Sequence, residues 1–119
     1  MEKLSQYKSL IEENTVVMAT VMMDGKPNAI CVGSVKVVGD DRLLITDNYM
    51  NQTVKDIQGI NNVCLIIIDA EQNCRKFVGT AEYFTEGKWK LTVEQMPENK
   101  GYSAKGAILV TVSKIIESK

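Results

Sequence analysis

Thr15-Val-Val-Met-Ala-Thr-Val-Met22, Met23-Asp24-Gly25-Lys26-Pro27, Asn28-Ala-Ile-Cys-Val-Gly-Ser-Val-Lys-Val-Val38, Gly39-Asp40-Asp41 and Arg42-Leu-Leu-Ile-Thr46 run consecutively, and their reading decides the fold. Thr15 to Met22 is rich in Val and Thr, whose branched β-carbons suit a pleated strand. Asp24-Gly25 supplies the pair of positive-φ positions that a tight hairpin needs. A second strand is expected from about Asn28 to Val38, then a turn at Gly39-Asp40-Asp41 and a third strand from Arg42 to Thr46. Two hairpins in succession make an antiparallel meander and exclude a βαβ start. Gly33-Ser34 interrupts the second strand. Such a small pair suits either a flat ligand lying on the backbone or a barrel corner under tight curvature.

Upstream, Leu4, Tyr7, Leu10 and Ile11 recur at helical spacing and predict an amphipathic helix over about residues 3–14. Downstream, Val54 and Ile57 give one apolar side to a short helix that Asn51 can cap and Gly59 can end. Val63 to Ile68 is a continuous apolar run rich in β-branched residues, expected as a central strand covered on both faces. Arg75 to Thr85 is a further strand, in which Gly79 marks a bulge or a close approach. Residues 86–96 are ambiguous: Trp89, Val93 and Met96 share a helical face, while Thr92 and Val93 are mediocre helix formers. A polar loop over Asn99 to Lys105 precedes the last strand, Ala107 to Ile116. No repeat, linker or low-complexity segment divides residues 1–119, so one domain is expected. The class is mainly β (α+β): a six-stranded antiparallel split β-barrel, Greek-key-like, with short flanking helices. A barrel this small holds no large ligand inside, so a cofactor must sit outside it or between two copies.

Composition removes several function classes. The chain of 119 residues carries 14 basic against 15 acidic side chains, with no basic stripe, which argues against nucleic-acid binding. No window approaches the ~18 apolar residues of a membrane span. The first residues lack an apolar h-region, and Cys31, Cys64 and Cys74 form no C-x-x-C pair, so a reducing cytoplasm is expected. Cys64, inside the apolar run, reads as a small core hydrophobe. Histidine is absent, which excludes Ser-His-Asp and Cys-His nucleophiles and most zinc sites; no metal site is expected. No carboxylate pair has an acid–base arrangement, so no catalytic residue is assigned, and any chemistry falls to a bound cofactor. Trp89 reads as a core anchor rather than a nucleic-acid stacking platform.

The richest stretch for chemistry is Thr46 to Thr53, where a strand ends, polar residues cluster and a helix begins. A helix start offers unpaired N–H groups and the positive end of the dipole, which suits a phosphate. Gln52 and Thr53 add side-chain donors, and Lys55 lies one turn further in. The alternative is that Asn51 or Thr53 simply caps the helix.

Taken together in order and spacing, these segments resemble the pyridoxamine 5'-phosphate oxidase-like FMN-binding split-barrel family, and especially its short FMN-binding proteins. The motifs are the opening hairpin through Asp24-Gly25-Lys26-Pro27-Asn28, Arg42-Leu-Leu-Ile-Thr-Asp-Asn-Tyr-Met-Asn-Gln-Thr53, Asn61-Asn62-Val63-Cys64-Leu65, and Phe77-Val-Gly-Thr-Ala-Glu82. The resemblance covers roughly residues 5–116. It implies a homodimer with FMN at the subunit interface. Ala29, Ile30, Cys31 and Val32 would line the isoalloxazine ring and ribityl chain, with Thr46, Asp47 and Asn48 continuing that wall. Gln52 and Thr53 would hold the phosphate, and the partner's loop near Tyr102-Ser103 would cover the ring. The family's phosphate turn usually carries Lys or Arg before the Thr, where this chain has Gln52. The implied function is a flavin-binding redox protein, an electron carrier or a small oxidoreductase with an unidentified partner or substrate. Two rival readings are a deazaflavin-dependent reductase and a flavin-free dimeric ligand-binding or interaction module.

Overall fold

The computed structural model describes residues 1–118. Its strands are β1 (Val16–Val21), β2 (Pro27–Val32), β3 (Val35–Val37), β4 (Arg42–Asp47), β5 (Asn62–Ile68), β6 (Cys74–Phe84) and β7 (Gly106–Ser118). They form one antiparallel sheet in the order β2-β1-β5-β6-β7-β4-β3. The helices are α1 (Lys8–Glu13), preceded by a 3-10 turn over Leu4–Tyr7, α2 (Gln52–Gly59) and α3 (Lys88–Glu94), which resolves the ambiguous segment as helix.

The mainly-β α+β class holds, but the strands number seven rather than six. The difference lies in residues 28–38, expected as one strand. The chain breaks at Gly33-Ser34, and each half takes a different neighbour: β2 pairs with β1, Val32 opposite Val16, and β3 pairs with β4, Val35 opposite Ile45. β2 and β3 are therefore the two edges of the sheet, joined by two residues. A sheet whose edge strands are tied so closely has to curl, which brings the Val32 end of β2 beside the Val35 end of β3. The corner reading of Gly33-Ser34 is thus observed, and the simple meander is not. α1 covers the β3 edge, where Glu12 Oε2 accepts the Val37 N–H at 2.9 Å. Such cover blunts a strand edge that would otherwise pair with another chain.

The first hairpin turn differs in detail from expectation. Only Gly25, φ 87°, takes the left-handed conformation. Gly25 N donates to Met22 O, and Met22 N to Lys26 O, each at 2.8 Å. This is a type I turn followed by a left-handed glycine, the usual three-residue loop. At Gly79 both sequence readings hold together. The β6–β7 register shifts between Val78 and Gly79, and a Cβ there would lie 2.0 Å from Thr111 O.

Alternation along the strands builds the core. Val16 and Met18, Leu65 and Ile67, Leu43 and Ile45, and Ile108 and Val110 are buried inside the curl around Phe77. Leu4 and Ile11 close one end, with the Tyr7 ring edge-on to Phe77 at 5.6 Å. Each such side chain contributes about 1.5–3 kcal/mol through burial. A smaller cluster of Leu44, Val93, Ala107 and Leu109 packs α3 against the opposite face of β4 and β7, with Trp89 partly buried at its margin. β5 departs from expectation: one face is buried, but Cys64 and Ile66 are half-buried and Ile68 is exposed on the other. Cys64 is therefore not a core residue of the single chain.

Candidate functional site

The site is built by the turn after β4. Asp47 is fully buried; its Oδ1 accepts the Met50 N–H at 2.7 Å and its Oδ2 accepts the Tyr83 hydroxyl at 2.6 Å. An aspartate bonded to the backbone three residues on bends the chain sharply. Asn48, Tyr49 and Met50 become a rim before α2 begins. Burial, then the hydrogen bond to Asp47 and the charge of its carboxylate, raise the Tyr83 hydroxyl far above its ordinary value.

At the start of α2 no side-chain cap forms. Lys55 N–H is the first amide there to reach a backbone carbonyl, Asn51 O at 3.3 Å. Among the described residues the amides of Gln52, Thr53 and Val54 have no acceptor. The capping role expected of Asn51 or Thr53 is therefore not taken up, and the positive end of the dipole is open. Behind it lies a polar network. Asn28 Nδ2 donates to Thr20 Oγ1 at 3.3 Å and to Thr53 Oγ1 at 3.2 Å. Thr20 Oγ1 donates to the buried Asp56 carboxylate at 2.6 Å, and Gln52 Nε2 donates to the same carboxylate at 2.8 Å. Thr53 Oγ1 is an acceptor in this network, so its own hydroxyl proton is available to a ligand.

The facing wall is pinned from a distance. Buried Asn99 donates through Nδ2 to Thr46 Oγ1 at 2.9 Å and to Val93 O at 2.7 Å. Glu98 accepts from Ser34 Oγ at 3.1 Å and pairs with Lys36 at 3.0 Å. Burial alone would raise the Glu98 carboxyl, but its backbone N–H, Lys36 and Ser34 together hold it below the usual range.

Between these walls runs an open cleft of about 570 Å³. That volume falls within the range of small-molecule sites, ≈300–1,000 Å³. One side is the apolar flank of β2 with the Gly33-Ser34 corner, and the other is the turn and the start of α2. Exposed Tyr49 and Tyr102 stand on its rim. Asn48 Oδ1 is buried in the cleft wall and has no hydrogen-bond partner among the described residues, an acceptor that a ligand N–H or O–H would satisfy. Among the described residues no group of three or more His, Cys, Asp or Glu is placed to hold a metal ion.

The structure brings most sequence-predicted site residues together here. Ile30, Cys31, Val32 and Thr46 line the cleft, as do Asn48, Gln52 and Thr53. Tyr102 lines it too, but from the same chain, where the resemblance places a partner's loop. Ala29, Asp47 and Ser103 do not line it. Ala29 sits exposed on β2, Asp47 is buried beneath the turn it holds, and Ser103 is exposed. Lining residues outside the predicted set include Asn28, Tyr49, Met50 and Asn51, and across the cleft Glu98 and Asn99. Asn28 carried a readable signal, a polar side chain inside an apolar strand. Glu98 and Asn99 reach the site only through tertiary packing.

A model of the family described as Pyridoxamine 5'-phosphate oxidase matches residues 4–118. The uncharacterized protein MJ0282 of Methanocaldococcus jannaschii is 30% identical over 113 residues, 92% of this chain and 76% of its own length. The crystal structure of HupZ from Group A Streptococcus superposes with a TM-score of 0.87 at 25% identity, covering 95% of this chain and 91% of that one. An FMN-binding protein from Syntrophomonas wolfei subsp. wolfei gives 0.80 at 16% identity, covering 98% and 86%, a likeness of fold.

Proposed function

The chain belongs to the pyridoxamine 5'-phosphate oxidase family, and from that premise we propose that its cleft binds FMN and that the protein serves in redox chemistry, as an electron carrier or a small oxidoreductase. The observation that carries the reading is the pairing, within one cleft, of three open amides at the start of α2 with the apolar flank of β2. A phosphate and a planar ring at opposite ends of one ligand match that pair. The S. wolfei protein of this fold is an FMN-binding protein, which adds support.

The donors fit the group. The Gln52 and Thr53 amides and the Thr53 hydroxyl suit the phosphate. Ile30, Cys31 and Val32 suit the ring, and Asn48 Oδ1 suits a ribityl hydroxyl or a ring N–H. Flavin, when bound, supplies hydride or single-electron transfer. The chain's own residues bind and orient it, and the apolar flank of β2 keeps water from one face of the ring.

A homodimer completes the proposal. The outer face of the sheet carries two apolar rows across β2, β1 and β5: Cys31, Val17 and Ile66, then Ala29, Ala19 and Cys64. All six are exposed or half-buried. Contiguous exposed apolar surface marks an interaction site, and this one meets the cleft at Cys31. An open cleft walls one side of a flat ring, and a second copy seated on these rows supplies the other wall. No described helix is long and apolar enough to cross a membrane. A cytoplasmic setting, which keeps Cys31, Cys64 and Cys74 free as thiols, belongs to the proposal.

The test is to titrate the apo protein with FMN while following the visible flavin bands, and to measure its mass by light scattering. Saturable band shifts with one FMN per chain, in a dimer, are expected. A monomer whose spectrum shows no saturable change contradicts the proposal. A deazaflavin ligand is favoured by one observation, the replacement of a basic residue by Gln52, whose amide is already committed to Asp56. Competition of FMN against the deazaflavin coenzyme separates the two.

A further inference from the structure

We propose that Lys105 supplies the cation that the phosphate end of the cleft otherwise lacks, an inference that rests on the FMN reading above. A flavin phosphate brings about −1.5 to −2 charges. Gln52 stands where a basic residue is expected, and one of its amide hydrogens is held by Asp56. Asp56 is 1% exposed, and among the described residues no ammonium or guanidinium pairs with it. The start of α2 is therefore backed by a buried carboxyl group rather than by a positive charge. Neither Lys55 nor Lys105 lines the cleft wall itself; the Lys55 ammonium, exposed on α2, makes no hydrogen bond among the described residues, whereas that of Lys105 reaches the turn that leads into the helix.

Lys105 approaches from the loop before β7. Its backbone N–H donates to Asp47 O at 2.7 Å, immediately before the ladder pair Asp47–Gly106. That bond fixes its Cα beside the turn. From there Nζ reaches Met50 O at 2.5 Å and Asn51 Oδ1 at 3.5 Å, on the two residues that lead into α2. An ammonium has three N–H bonds. Two serve these acceptors, and in the proposal the third serves an anion at the neighbouring amides. The side chain makes no ion pair among the described residues. Its anchorage lowers the ordering cost that a free surface lysine would meet on binding.

The experiment compares FMN with riboflavin, which lacks the phosphate, by flavin fluorescence quenching on the wild type, Lys105→Gln and Lys105→Arg. Lys105→Gln is expected to weaken FMN about tenfold or more, the scale of a charge-assisted hydrogen bond, with riboflavin changed less than about twofold. Lys105→Arg should restore FMN to within about threefold, and the salt dependence of FMN binding should flatten in Lys105→Gln alone. FMN affinity unchanged in Lys105→Gln, or FMN and riboflavin weakened alike, overturns the assignment while leaving the FMN reading standing. A wild type that takes up neither flavin overturns both. Lys105 is exposed, and apo melting temperatures matched between the wild type and Lys105→Gln keep the comparison one of binding.

Discussion

Tyr83→Phe probes the bend on which the whole cleft is built. The substitution removes one of the two hydrogen bonds to the Asp47 carboxylate, which is 0% exposed, and leaves the Met50 N–H alone to hold it. A hydrogen bond to a charged group nets about 1.5–3 kcal/mol. The ring itself is retained against Gly106, where a Cβ would lie 2.4 Å from Tyr83 Cζ, so no large cavity opens. A loss of about 2–3 kcal/mol is expected at neutral pH. A chain of this length holds roughly 6–18 kcal/mol in all, at about 0.05–0.15 per residue. The melting temperature should therefore fall by roughly 6–15 °C. The alkaline limb gives a second readout. Tyr83 is raised above the ordinary tyrosine value of 10.0 in the folded state. Its stabilisation is complete below pH 10 and is lost as pH climbs from there through the raised native value. Urea denaturation at pH 7 and across pH 9–11 should show the wild type losing stability faster than Tyr83→Phe, so that the two curves converge. A penalty below about 0.5 kcal/mol, or parallel alkaline curves, would show that the Asp47–Tyr83 bond does not hold the turn.

Other consequences follow from the same geometry. Thr53→Val removes a hydroxyl offered to the phosphate and should weaken FMN about tenfold with little effect on riboflavin; an unchanged FMN affinity in calorimetry contradicts the placement. Gly79→Ala would drive a methyl group to within 2.0 Å of Thr111 O and 2.9 Å of Val112 Cα, both backbone, at the β6–β7 bulge. A loss above about 4 kcal/mol, or no soluble protein, is expected, and a variant within about 1 kcal/mol of wild type in urea refutes the close approach. Glu98 has its carboxyl held low by its own N–H, Lys36 and Ser34 against the opposing effect of burial, so its tie is intact above the usual value of 4.5 and fails as pH falls through the lowered one. Hydrogen-exchange protection of Glu98 and Asn99 should drop in that window in the wild type but not in Glu98→Gln; identical pH profiles would remove Glu98 as the pin.

Much of the fold is written in local pattern. The alternation of β1, the Asp24-Gly25 turn and the small-residue break at Gly33-Ser34 all act over a few residues; β1 and a turn at Asp24-Gly25 appear where expected, while the expected strand over residues 28–38 becomes two. What the break does is not local. β2 finds β1 and β3 finds β4 at opposite ends of the sheet, and no spacing within residues 28–38 encodes those partners. The run Val63–Ile68 reads as covered on both faces because every residue is apolar, whereas one face of β5 is half-buried to exposed in this chain. At the candidate site, the polar cluster after β4 does fall on the cleft, but it does not say which side chain turns inward. Asp47 looks like a ligand-facing residue until Tyr83, 36 positions away, claims its second oxygen. Lys105 lies 54 positions from the Asn51 it touches, so the positive charge beside the helix start is invisible to any reading of the turn alone.

The sharpest discriminating measurement is an amide-resolved nitrogen–proton NMR titration with FMN and, separately, with riboflavin. Binding as described shifts Ile30, Cys31 and Val32 with both ligands, and shifts Gln52, Thr53 and Val54 with FMN alone. Equal perturbation of the α2 amides by both ligands, or FMN-induced shifts confined to residues remote from β2 and α2, would contradict a phosphate held at the start of that helix.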